Sequence, residues 1–361
     1  MKRILKNWIV LVVGIILIFQ ITNVKAFAAE PPRVYSGTII EALENNDVIV
    51  EVKKETSVLK FQVKTFAENY ISKPVYKVGD RVIISVDVVK GKEVGSIIER
   101  ERVIPYAIII ALFFGVVAAI GRFRGVLSIF AMMASFLFLT SVTIPQIIAG
   151  VDPVMMSLLT GIIIVPLTFY ISHGFTTKTS LAVIATLIAL AITGVLAVIF
   201  TQLVYLTGYT SDEATAVTFR FGQNFQLSNI LIAGMIISSM GVLDDVTISQ
   251  IDIVASLSKA KPDMKRKVLF AEAMKIGRDH IASLVNTLVL VYVGAALPLF
   301  LVIYKSDTPL WIVLQKESIA EEVVRTIVSS IGIILAVPIS TFLGVRWGRK
   351  KVGLLQKEKL F

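Results

Sequence analysis

From Val103 onward the chain runs in long blocks with almost no charge, each about 18–26 residues, the length a bilayer demands. In hydrocarbon every backbone N–H and C=O must be satisfied internally, so a spanning segment is a helix or part of a closed barrel. Unbroken apolar blocks of this length, without alternation, select helices. The chain is therefore restricted to an α-helical polytopic membrane bundle. Composition agrees: 55% of the residues are hydrophobic, 17% are charged, and mean hydropathy is +0.80. Soluble domains average about 45–50% apolar and about 25% charged.

Seven spans are expected, at about 103–121, 125–148, 153–172, 180–206, 228–250, 281–303 and 326–346. If the first starts outside, the inward segments carry Arg122, Arg124 and Lys178, then seven Lys and Arg between Lys259 and Arg278, then the tail from Arg346. The outward segments carry only Arg220, Lys305, Lys316 and Arg325. This is the positive-inside pattern, with residues 347–361 as a basic cytoplasmic tail. It accounts for much of the net charge of +10 without a nucleic-acid partner. No cysteine is present, which removes disulfides, thiolate metal sites and Cys nucleophiles. With two histidines, a His-rich metal centre is excluded too.

Two modules precede the spans. Residues 1–28 carry Lys2, Arg3 and Lys6, an apolar run from Trp8, and small residues at Ala26 and Ala28. They read as a signal peptide cleaved after Ala28, or as an uncleaved first transmembrane helix. Residues 30–102 are charge-balanced, with alternating runs such as Val48, Val50, Val52 and Val82, Ile84, Val86. Period two means half-buried strands. About five strands in about 70 residues suit a small extracytoplasmic all-β domain, OB-like or barrel-sandwich in kind. It would serve substrate access or dock a protein partner.

Polar residues inside the spans are the functional candidates, because an ionised Asp at a helix centre costs about 2.5–3.5 kcal/mol on insertion scales. The fifth span ends in Asp244-Asp245, with Thr247 and Ser249 following. Helical spacing puts Gly234, Ser238, Gly241, Asp245, Ser249 and Asp252 on one stripe, where another helix could approach closely. Asp244 lies about 100° round the helix. The sixth span opens with Arg278-Asp279-His280 and carries Asn286 about two turns inside. The two spans are antiparallel and joined on the inside, so these groups share a depth. If they converge, Asp244, Asp245, Thr247, Ser249, Asp279, His280 and Asn286 form a substrate or ion site. Oxygen-rich groups of this kind suit a proton, Na⁺ or Mg²⁺, and the identity of any metal stays open. Alternatively the Asp pair faces water at the headgroup level, and Asn286 hydrogen-bonds a neighbouring helix. Between the spans, residues 263–275 read as an interfacial amphipathic helix on anionic lipid, or as a solvated loop.

At these residues the sequence resembles the YibE/F family of bacterial polytopic membrane proteins. The resemblance rests on Gly241-Val242-Leu243-Asp244-Asp245-Val246-Thr247 with Gln250, and on Gly277-Arg278-Asp279-His280-Ile281-Ala282-Ser283 running on to Asn286-Thr287-Leu288, Tyr292-Val293-Gly294 and Pro298. It implies a multi-span protein of the bacterial cell membrane, with transport as the supposed role. The expectation is a permease for an ion or small solute, with the β domain outside. It would be no enzyme and use no cofactor, its lipid environment aside. A non-catalytic assembly subunit is the alternative; a Mg-dependent lipid-phosphate enzyme is a third reading. No nucleotide-binding P-loop occurs, so ATP-driven transport would need a separate subunit.

Overall fold

The structure is a computed structural model and describes residues 34–43, 47–54, 57–64, 76–89, 92–222, 226–305 and 308–348. The expected export segment, residues 1–28, and the tail beyond Gly348 lie outside the described residues. The chain divides into two units, meeting between Gly121 and Arg122.

In the first unit, β1 (Val34–Ala42), β2 (Asp47–Lys54), β3 (Ser57–Lys64), β4 (Arg81–Val89) and β5 (Lys92–Arg100) close a barrel in the order β1-β2-β3-β5-β4. All pairings are antiparallel except β3 with β5, which are parallel. This is the OB-like alternative. The alternating residues fill the interior as the sequence required: Ile39, Val48, Val50, Val52, Phe61, Val63, Val82, Ile84 and Val86 are buried together. Gly37 is needed on β1, because a Cβ there would stand 2.4 Å from Val50 Cγ1. The Lys77–Asp80 turn uses Gly79 at φ +95 and docks on β1 through Gly79 N–H to the Ile39 carbonyl, 2.8 Å, and Ile39 N–H to the Asp80 carbonyl, 2.9 Å. Arg100 then pairs with Asp80 at 3.0 Å, and Arg81 with Glu101 at 3.3 Å, fixing the strand that leads into the first helix.

That helix, α1 (Val103–Phe138), passes from the first unit into the second. Arg122 interrupts it, with φ 50 and ψ −139. A π-helical stretch (Leu139–Thr143) and α2 (Ile144–Ile148) continue the same run. There follow α3 (Pro153–His173), α4 (Thr177–Leu203), α5 (Asp212–Phe221), α6 (Leu227–Ala260), α7 (Arg266–Ala295), α8 (Leu297–Tyr304), α9 (Leu310–Val313) and α10 (Glu317–Leu343). Their starts have local causes. Asp152 accepts from Met155 N–H at 2.8 Å and Pro153 opens α3. Thr176 caps α4 through Thr179 N–H at 3.1 Å, and Gly174, at φ 75, lets the chain turn sharply between α3 and α4.

Five helices among the described residues are long and apolar enough to cross a bilayer: Val103–Ile148, Pro153–His173, Thr177–Leu203, Leu227–Ala260 and Glu317–Trp347. Seven were expected, and two differences account for this. The first two expected spans form one helical run of 46 residues, broken at Arg122. The sixth, 281–303, is divided between α7 and α8 at Ala296, and within α7 the residues Arg278, Asp279, His280 and Asn286 dilute the apolar stretch that is left. The segment expected as an interfacial helix, 263–275, is helical from Arg266 but does not stand apart: α7 runs on unbroken into the apolar segment. Its first turns are held by Leu269 and Ala273, which cluster with Val254 of α6 and Val345.

The core of the second unit is built by α3, α4, α6 and α10, with α7 against α6 and α10. Leu190, Met235, Ile236, Leu243, Ile251 and Ile333 are almost fully buried there. The helices come closest at three glycines. A Cβ on Gly332 would stand 2.2 Å from Thr193 Oγ1, one on Gly161 2.4 Å from Leu190 Cδ2, and one on Gly277 2.6 Å from Val337 Cγ1. Buried polar groups pair across the interfaces: Thr143 with Thr160 at 2.7 Å, Thr186 with Thr247 at 2.6 Å, and Ser239 with Ser329 at 3.0 Å. Gln250 donates to the Ala273 carbonyl at 3.0 Å and to Thr341 Oγ1 at 2.8 Å, tying α6 to α7 and α10.

Gly332→Val forces α10 away from α4, and its thermal unfolding in detergent should show a loss of about 1–3 kcal/mol, the range of core overpacking. Gly234 meets open space, so Gly234→Val should stay within about 0.5 kcal/mol of the parent.

Candidate functional site

Large apolar residues make the inward face of α6: Leu231, Met235, Ile236, Leu243, Val246 and Ile251 are buried. Asp244 stands at the edge of this face, about 26 Å along a helix about 50 Å long, and is partly buried. Its Oδ2 lies 3.2 Å from the Thr168 hydroxyl on α3. Its Oδ1 is closed off from solvent and has no hydrogen-bond partner. Thr168 also has the Ile164 and Val165 carbonyls within reach, both at 3.0 Å. One hydroxyl carries one hydrogen, so Thr168 serves one of these three acceptors at a time. When it serves a carbonyl, its own oxygen is free to accept a proton carried on Asp244. The contact therefore accommodates both forms of the carboxyl group, and Pro166 lies two residues before Thr168 inside the continuous α3.

Other polar groups gather where α3 terminates and α4 begins. His173 closes α3, packed against Phe169, and the charges of Asp252, Arg124 and Asp245 reach its ring. Lys178 of α4 pairs with Asp252, a largely exposed contact worth at most about 1 kcal/mol. Tyr170 stacks on Phe175 at 4.3 Å and reaches Ser180 at 3.2 Å, which makes the α3–α4 turn a firm frame for Thr168.

Of the expected site residues, Asp244 and Thr247 lie at helix interfaces. Thr247 is fully buried, but its hydroxyl is engaged with Thr186 and the Asp244 carbonyl and holds helices together. Asp245 and Ser249 are exposed, as are Asp279, His280 and Asn286 on α7. No hydrogen bond or ion pair joins Asp279, His280 or Asn286 to Asp244 or Asp245. The stripe expected to receive a helix faces outward at every position, Gly234, Ser238, Gly241, Asp245, Ser249 and Asp252. Close approach occurs at Gly161, Gly277 and Gly332 instead. Sequence reasoning missed Thr168, His173 and Lys178. Their available signal was position: Thr168 lies near the inward end of the expected span 153–172, and His173 and Lys178 fall in the inward segment between it and 180–206, where Lys178 counts only as an inward charge. Among the described residues no three His, Asp or Glu gather into a group that could hold a metal ion.

Five helices among the described residues, long and apolar enough to cross a bilayer, define an integral membrane protein. The profile of the YibE/F-like protein family matches residues 109–350, and the chain belongs to that family. Neither the curated proteins nor the solved structures gave a match.

Thr168→Val removes the one side chain bonded to the Asp244 carboxyl group among the described residues. A double-mutant cycle with Asp244→Asn, read by unfolding in detergent, should give a coupling of about 0.5–1.5 kcal/mol. Additivity would show that the 3.2 Å contact carries no energy.

Proposed function

We propose that the protein is a permease for an ion or small solute, with Asp244 as the group that takes up and releases the coupling ion. The supporting observation is the Asp244–Thr168 contact, a carboxyl with one satisfied and one orphaned oxygen in an otherwise uncharged helix interface. Intramembrane carboxyls of this kind mark ion and proton pathways. A proton is the ion this geometry favours, because Thr168 can exchange donor and acceptor roles with Asp244, whereas Na⁺ or Mg²⁺ would call for several oxygen ligands. Asp245, Asp252, His173 and Lys178 would then form the mouth that delivers protons from water.

The expected topology belongs to this reading. The 46-residue run would measure about 69 Å as a straight helix, more than twice a hydrocarbon core of about 30 Å. Turning at Arg122, it would make two passes, and α7 with α8 a further one, for seven in all. The barrel would then lie outside and the C-terminus in the cytoplasm. Cleavage of residues 1–28 as a signal peptide is part of the same proposal.

A second reading, a subunit of a larger membrane assembly, is favoured by a different face. Gly234 and Gly241, on the outward stripe of α6, each face open space among the described residues. A partner in the membrane would cover that stripe, and the barrel would offer it a docking module. The lipid-phosphate enzyme has less support, because Asp252 is tied to Lys178 and Asp279 stands free of the Asp pair.

Proteoliposomes holding a pH dye, energised by a K⁺ diffusion potential, test the first reading. Proton flux should fall at least about tenfold in Asp244→Asn, the scale of one lost pathway carboxyl (about 1.4 kcal/mol or more). Asp279→Asn, at an exposed residue outside this path, should keep most of it. Equal flux in Asp244→Asn and the parent would remove Asp244 from the pathway.

A further inference from the structure

At the opposite end of the bundle α10 opens with a dense set of charges, Glu317, Glu321, Glu322 and Arg325. Two of the three carboxylates, Glu321 and Glu322, share one guanidinium, that of Arg325. Glu317 is committed to the α4–α5 connection, where its carboxylate accepts from the Thr207 N–H and hydroxyl and from the Gly208 N–H. Glu321 accepts from Arg325 Nη2 at 2.7 Å and from the Thr210 hydroxyl. Glu322 sees that guanidinium only through Nη1, at 3.6 Å. It is left with an incompletely balanced negative charge.

Glu322 also lines a cavity of about 170 Å³ between α7, α8 and α10. The other walls are almost entirely apolar, including Val289, Val293 and Ile327, with the rings of Tyr292 and Phe300. The few oxygens besides Glu322 are already engaged: Tyr292 reaches Ser329 at 3.3 Å, and the Thr326 hydroxyl donates to the Glu322 carbonyl at 2.8 Å. An inorganic cation would find one carboxylate where it needs about six oxygens, and an anion would be repelled. A cation whose charge is wrapped in carbon fits each feature. Its alkyl groups meet the aliphatic wall, aromatic faces attract it, and the carboxylate balances it. The size agrees too, since an apolar cavity of about 150 Å³ takes a benzene-sized guest.

We propose that this cavity is a binding site for a compact alkylammonium group, with Glu322 as counter-ion and Tyr292 and Phe300 as its aromatic walls. The site is separate from Asp244 and does not depend on the transport reading. The group comes either from a free quaternary amine or from the headgroup of a lipid beside α7.

The test uses the full chain in nanodiscs made only of phosphatidylglycerol, titrated with tetramethylammonium by calorimetry. Saturable binding is expected in the parent. Glu322→Gln should weaken it at least about tenfold, a loss of about 1.4 kcal/mol, while Arg325 keeps its bond to Glu321. Val293→Trp, which fills the cavity and leaves the charge, should abolish it. Asp244→Asn should bind as the parent does, so failure of the permease reading leaves this one standing. Repeating the titration in nanodiscs with phosphatidylcholine separates the sources: competition assigns the site to the lipid headgroup, and its absence to the free amine. Unaltered binding in both Glu322→Gln and Val293→Trp, or none in the parent, overturns the proposal.

Discussion

Everything in the bundle depends on how closely the helices can approach. In lipid there is no hydrophobic drive between helices, because the tails are as apolar as leucine. Association must come from contact and from polar groups that find partners. Gly161, Gly277 and Gly332 supply the contact, each set where a Cβ would meet a neighbour at 2.2–2.6 Å. The hydroxyl pairs Thr143–Thr160, Thr186–Thr247 and Ser239–Ser329, with Gln250 between α7 and α10, supply the bonds. These pairings fix the relative rotation of α3, α4, α6 and α10. That rotation puts Asp244 against Thr168 and turns Asp245 outward.

The same logic explains which parts were readable from the sequence. The barrel was legible because water gives direction: the residues that alternate along β2 and β4 are those in the barrel core. The apolar blocks were legible as helices through their length. The orientation of α6 was not. Periodicity placed Gly234, Ser238, Gly241, Asp245, Ser249 and Asp252 on one face, and they do share a face, but it is the outer one. Inside a bilayer both faces of a helix are apolar, so period alone does not distinguish them. Bulk fills the inside of α6, through Met235, Ile236 and Leu243, and small residues are left outside.

The candidate site shows the same division. Asp244 stood out because a carboxylate in an apolar segment is rare and costly. Thr168 did not, since a lone threonine in a membrane helix is ordinary and matters only through the pairing of α3 with α6. Depth suggested that Asp279, His280 and Asn286 would join the Asp pair, but equal depth leaves the angle around each helix free. Glu322 was hidden for another reason. It precedes the expected start of its span and reads as one of several charges at a helix beginning, and only the fold of α7 and α8 over it makes a cavity.

α6 is also too long for the membrane. At about 50 Å it overshoots a hydrocarbon core of about 30 Å even when steeply tilted. Its last turns meet α7 in the cluster of Val254, Leu269, Ala273 and Val345; with the overshoot at this end, as the expected topology has it, this would be a miniature core of the water-soluble kind. That cluster would gain from expelling water, whereas the bundle beside it would not. Cooling and urea both weaken water-driven burial, so they would act on this end of the molecule first. One helix would thus pass through two solvents, and its two ends would answer to different physical rules.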